Sequence, residues 1–134
     1  MSNRLRKRKQ EEGKRIASPT TIPDPPFGKR SPQFGLEHFN IAPYDKDEKS
    51  AFIGKLCRLS KLTWDEIQSS GRYQMGFEWI SQNEIKIPIP PGLTDDVRMM
   101  VFRYNGKKAM VGYRVGHIYY PFWLDVDFSA YDHN

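Results

Sequence analysis

A single cysteine, Cys57, is all the thiol chemistry in this chain of 134 residues, which excludes an intrachain disulfide and suits a reducing compartment. Set in the helical-looking stretch KLCRL, it reads as a buried structural thiol, because a reactive one needs an exposed, electropositive setting. No apolar run approaches the ~20 residues of a membrane-spanning helix. The basic start runs into charged and polar residues, not into the apolar core of a signal peptide. The chain is therefore expected to be soluble and cytoplasmic, with no membrane partner. A Walker-type loop, HExxH, CxxC and a G-x-S-x-G elbow are all missing. His38, His117 and His133 lie far apart, so no metal site and no cofactor are expected. There is no internal repeat.

What is present is unevenly spread. Residues 1–30 carry nine Lys/Arg against three acids, whereas residues 31–134 carry 12 against 13. The net +5 thus belongs to the N-terminal arm and not to the body. Residues 1–15 have almost no apolar face, and residues 16–35 are rich in Pro, Ser, Thr and Gly, including Pro19, Pro23, Pro25, Pro26 and Pro32. Prolines this dense exclude helix and sheet. Residues 1–35 therefore read as a disordered basic, Pro-rich arm, and 36–134 as one folded domain. The run Arg4-Leu5-Arg6-Lys7-Arg8-Lys9 could serve as a nucleic-acid-binding tail, a nuclear-import patch or a solubilising tail.

The body reads as α+β. Asp45, Asp47 and Glu48 suit a helix N-terminus, where negative charge meets the positive end of the dipole. Ser50–Leu62 is amphipathic: Phe52, Ile53, Leu56 and Leu59 recur at helical spacing, with Lys55, Arg58 and Lys61 on another face. Thr63 and Glu66 fit a capping box, so a second helix is expected from there to about Ser70, with Trp64 and Ile67 inward and Gly71 as its stop. Phe77–Ile80 and Glu84–Ile87 read as short strands. Three strong strands follow, Val97–Tyr104, Lys108–Val115 and His117–Leu124, separated by Asn105-Gly106, which signals a type I′ turn, and by Gly116. Strict alternation along the last strand sets His117, Tyr119, Pro121 and Trp123 against Ile118, Tyr120, Phe122 and Leu124. Pro121 places that strand at an edge or marks a bulge. The expected fold is two N-terminal helices packed on an antiparallel sheet of about four to five strands.

The chemistry-bearing residues concentrate on these strands. Arg103 and Arg114 are expected near one end of the sheet, with His117, Tyr119, Tyr120 and His133 close by. Guanidinium groups beside phenols and imidazoles suit a phosphodiester substrate: arginine stabilises charge on the phosphate while His or Tyr moves protons. Tyr120 could stack on a base, and Arg58, Lys61 and Arg72 could extend an RNA-binding surface. The plainer alternative keeps these groups as ordinary strand residues and a solvated helix face, the arginines pairing with carboxylates such as Asp125 or Asp127.

The stretches LSKLTWDEI (59–67), GFEWI (76–80) and VFRYNGKKAMVGYRVGHIYYPFWLDVDFSAYDH (101–133) resemble a family of small, mostly uncharacterised bacterial and phage-associated proteins. More distantly, the layout is similar to RelE/ParE-like toxins. That resemblance implies a toxin of a toxin–antitoxin system, a metal-independent endoribonuclease acting on messenger RNA, with an antitoxin and RNA or the ribosome as partners. Arg103 and Arg114 would be phosphate stabilisers, and Tyr119 or His133 proton-transfer groups. The near-neutral body and the long Arg/Pro arm depart from that pattern. The alternative expectation is a non-catalytic protein-interaction module of phage or mobile-element origin. A third is nucleic-acid binding through the arm alone.

Overall fold

The computed structural model describes residues 25–75 and 77–132. Residues 1–24, the greater part of the expected arm, lie outside them. The described chain is α+β, with two helices and one five-stranded sheet. In chain order its elements are β1 (Gln33–Phe34), α1 (Lys46–Leu59), α2 (Trp64–Met75), β2 (Phe77–Ile80), β3 (Met99–Asn105), β4 (Lys108–Val115) and β5 (Ile118–Asp125). The spatial order is β1-β5-β4-β3-β2. Four strands pair antiparallel, but β1 runs parallel to β5, so the sheet is mixed and not the antiparallel one expected.

Residues 25–35 are not the extended linker their prolines predict. Phe27–Lys29 form a turn of 3-10 helix, and Gln33 and Phe34 pair with Ile118 and Tyr119. This segment is tied to α2: the Phe27 ring stacks on Trp64 at 5.9 Å, and the Arg30 carbonyl accepts from the Trp64 backbone at 2.9 Å. The prolines fall beside the pairing residues, so they cost the ladder nothing.

Both helices start on a side-chain cap. Asp45 Oδ1 accepts from the Glu48 amide at 2.9 Å, so α1 begins earlier than its apolar periodicity suggests. Thr63 and Glu66 form a reciprocal capping box, at 2.8 Å and 3.2 Å. Gly71 does not stop α2, which runs on to Met75.

The apolar and basic faces of α1 lie as expected except at two residues. Lys55 is buried and Ile53 is 48% exposed. Cys57 is exposed, not buried. The buried line is Phe52, Leu56 and Leu59, and Lys55 lies one helical turn from Phe52 on the same side.

Both hairpins turn on a glycine at the first central position. Gly106 and Gly116 have φ of 60° and 61°, and Asn105 belongs to β3. This is the type II′ pattern and not the type I′ turn expected from Asn-Gly. Glu84–Ile87 is not a strand; Gln82–Glu84 make a 3-10 turn, and Lys86 donates its amide to the Ala130 carbonyl at 2.7 Å.

The sheet has an apolar cluster on each face. One joins Phe52, Leu56, Leu59, Trp64 and Ile67 of the helices to Met100, Phe102, Met110, Tyr119 and Leu124. The other gathers Met99, Val101, Val111, Tyr113 and Phe122 with Ala130 and Tyr131 of the C-terminal tail. Strict alternation along β5 fails because the register slips between Val111 and Gly112: Val111 pairs with Trp123, Gly112 with Pro121. Pro121 thus sits at a bulge in an internal strand, and Tyr119 and Leu124 end on the same face.

Glu48 locks α1 to the β3–β4 hairpin. Its carboxylate accepts from Tyr104 Oη at 2.9 Å, Asn105 Nδ2 at 3.0 Å and Lys108 Nζ. Burial pushes this carboxyl up, but the three donors outweigh that and hold it below its ordinary value. With the folded pKa depressed, its contribution is full above the ordinary carboxylate range and is lost as pH falls through the folded pKa. Glu48→Gln is expected to lower stability by about 2 kcal/mol at pH 7. Chemical denaturation of both proteins should show that gap closing below about pH 4. Gly112→Ala should destabilise as strongly, since a Cβ there would lie 2.6 Å from both the Tyr119 ring and the Tyr120 carbonyl.

Candidate functional site: an arginine in an aromatic box

The expected site residues do not converge. Arg103 pairs with Ala109 beside the Gly106 turn, whereas Arg114 pairs with Tyr119 beside the Gly116 turn. These are opposite ends of the β3–β4 pair, roughly 17 Å apart along the strand. Arg103 is exposed and follows Met99 and Val101, while Arg114 takes the helix-bearing face. The expectation that both sit at one end is therefore corrected: consecutive hairpins reverse direction, so residues near successive turns separate.

Tyr119 is fully buried, and its hydroxyl donates to the Met100 carbonyl at 2.7 Å. Burial holds its phenol well above the ordinary tyrosine value. It is a packing residue, threaded over Gly112, and its hydroxyl is closed to solvent. Tyr120 stacks on Tyr113 at 5.0 Å, on the other face from Arg114. Arg58 and Lys61 are exposed around the end of α1. His133 and the side chain of Arg72 lie outside the described residues. Asp125 does not serve a strand-end arginine through its Oδ1, which accepts from the amides of Ser129 and Ala130 at 2.9 Å and 3.1 Å.

Arg114 and His117 do meet at one place, around Trp64. The Trp64 indole donates to the His117 carbonyl at 3.1 Å, and the Arg114 guanidinium lies 5.2 Å from the Trp64 ring. Phe27 at 4.5 Å and Trp79 at 5.6 Å complete an aromatic box around Arg114. His117 Nε2 is 2.9 Å from Gln33 Oε1 and 3.1 Å from Arg30 Nη2. Arg98 stacks on the same Trp79 ring at 4.6 Å. Burial, then the charge of Arg98, lowers the Arg114 pKa. The sequence reading missed Arg98, Trp79, Phe27 and Arg30. No local signal could have found them: the β3–β4 ladder ends at the Met100–Gly112 pair, two residues short of Arg98.

A second feature lies at the far end of β5. A half-open groove of about 550 Å³ runs between Tyr44 and the Pro88–Pro91 segment, with Phe122, Trp123 and Leu124 lining it and Asp127 beside them. Its lining is mainly apolar. Leu124 donates its amide to Tyr44 Oη at 2.9 Å, which fixes the ring. Among the described residues no group of three or more His, Cys, Asp or Glu could hold a metal ion. Among the same residues no helix is long and apolar enough to cross a membrane.

Comparisons with protein-family models, with curated proteins and with solved structures found no match to this chain.

Lys55 is the one buried lysine among the described residues, with its ammonium 5.9 Å from the Phe102 ring centre. Burial, then the charge of Arg58, pushes its pKa down to about 8. Its charged form therefore costs stability below about pH 8, and that cost fades as pH rises from about 8 towards the ordinary lysine value of about 10.5. Lys55→Met should raise the unfolding free energy by about 1–2 kcal/mol at pH 7. The gain should shrink at pH 10 when the two thermal unfolding series are compared.

Proposed function

We propose that this domain is a non-catalytic protein-interaction module of phage or mobile-element origin. In this reading the two helices pack on one sheet face as scaffold, and the groove at the end of β5 docks a partner. The groove carries the proposal. It is concave and mainly apolar, and its walls include Tyr44, Trp123 and four residues of a proline-rich segment. Aromatic-lined grooves of this kind suit extended, proline-containing segments, whose preformed backbone loses little entropy on binding. Exposed Asp127 at the rim favours a basic residue in that segment.

The endoribonuclease reading, with an antitoxin and ribosomal RNA contacts, draws little support from this arrangement. It needs Arg103, Arg114 and a proton-transfer group at one open site. Instead the arginines sit at opposite ends of the strands, and the Tyr119 hydroxyl is committed to Met100.

A displayed library of short peptides, selected on the full chain, tests the proposal. Selected peptides should carry proline and a Lys or Arg. They should lose at least tenfold in affinity for Trp123→Ala and for Asp127→Lys. Selection of nothing, or of peptides indifferent to both variants, would refute the groove as the docking site. In parallel, induction in a bacterial host should leave growth and total RNA unchanged. Growth arrest with RNA cleavage, lost in Arg114→Ala, would reinstate the toxin reading.

A further inference from the structure

The groove at the end of β5 asks three things of an occupant. Trp123, Tyr44 and residues 88–91 of its wall suit proline and apolar side chains. Asp127 at its rim is exposed, and the Ser129 hydroxyl donates to its carboxylate at 2.6 Å. That fixed negative charge suits a cation at one end of the occupant.

One segment of this chain has all three. Eight of the ten prolines belong to the described residues, and Pro19 and Pro23 are the other two. They lie in KRIASPTTIP (14–23), where two cations precede an apolar, proline-containing stretch. Residues 1–24 hold seven Lys/Arg against three acids, whereas residues 31–134 hold 12 against 13, so charge does not hold the arm off the domain.

The chain length also fits. The described residues begin near His117: Phe27 stacks on Trp64, and the Trp64 indole donates to the His117 carbonyl. From Ile118 to Trp123, along β5 to the groove, is ~17 Å. Extended chain from Pro25 back to Pro19 reaches up to ~20 Å. Pro19 can thus arrive at Trp123, and Arg15 then falls further on in the same direction, as Asp127 does. A segment on so short a tether meets the groove at an effective concentration of about 1 mM. Even with a dissociation constant of ~0.1 mM it would lower the affinity of any competitor about tenfold.

We infer that residues 14–19 of this chain's own arm occupy the groove in the same molecule, Pro19 against Trp123 and Lys14 and Arg15 facing Asp127. The arm is a built-in competitor, which a partner's proline-containing segment must displace. This inference rests on the reading of the groove as a docking site.

The test uses a fluorescently labelled peptide of residues 12–24, EGKRIASPTTIPD, titrated by anisotropy onto two full chains. One is wild type and the other carries Lys14→Glu, Arg15→Glu and Pro19→Gly, all outside the described residues. The arm variant should bind the peptide, and any peptide selected from the displayed library, at least tenfold more tightly than wild type. Adding Asp127→Lys, at an exposed position, should remove the gain, and Trp123→Ala should do the same. Sedimentation velocity should show wild type as a monomer at every concentration. Equal affinity of the two chains, or a gain that survives Asp127→Lys, would overturn the inference. So would a concentration-dependent dimer that the arm variant lacks, which would assign the arm to the groove of a second copy. If library peptides bind both chains equally and depend on Trp123, the docking reading stands and only self-occupancy falls. If neither library nor arm peptide binds either chain, both fall.

Discussion

Glu48 occupies the third position of α1, and its carboxylate is spent on the β3–β4 hairpin and not on its own helix. The same N-terminal pattern, a capping residue followed three positions later by Glu, closes into a box at Thr63 and Glu66. At Asp45 and Glu48 it stays half-open, and the freed carboxylate reaches Tyr104, Asn105 and Lys108. A buried carboxylate with fewer donors would be expelled or protonated. Polar geometry thus ties the first turn of α1 to the hairpin, while Phe52, Leu56 and Leu59 share an apolar cluster with the sheet.

The remaining architecture follows from closing both faces of a sheet with few long elements. One face receives helical side chains. The other receives the tail, anchored by the Asp125 contacts to Ser129 and Ala130, and by Lys86 to Ala130. Serving both faces requires β5 to change phase midway, and the Pro121 bulge does this where the missing amide would otherwise weaken a ladder. Gly112 lies opposite, and its lack of a side chain admits the Tyr119 ring.

Much of this was legible in the residues, wherever local chemistry decides. The three long strands, the glycine-marked turns, the Thr63–Glu66 box and the acidic start of α1 all follow from short-range rules. What escaped depends on long-range contact. Nothing local shows that Gln33 and Phe34 pair in parallel with a strand some 85 positions away. The turn type was misread because Asn105 is used by Glu48, a partner 57 residues distant. Ile53 and Lys55 flank the buried line Phe52, Leu56 and Leu59, and which flank is covered depends on the sheet packed against it, not on local spacing. The candidate site was read from residue types near turns, and direction reversal at each turn split it. The box around Arg114 takes its rings from Phe27, Trp64 and Trp79 on three separate segments, so no short-range rule pointed to it.

The two-residue strand β1 has a mechanical consequence. A parallel pairing this short sits at the sheet margin, and tension applied from the N-terminal side would reach it only through the Phe27–Arg30 contacts to Trp64 and His117. Such a pull would draw off Phe27 and then Arg30, and with them one wall of the box and the contact to His117. The segment before β1 thus couples the two: whatever pulls on residues preceding Phe27 also changes how tightly Arg114 is enclosed.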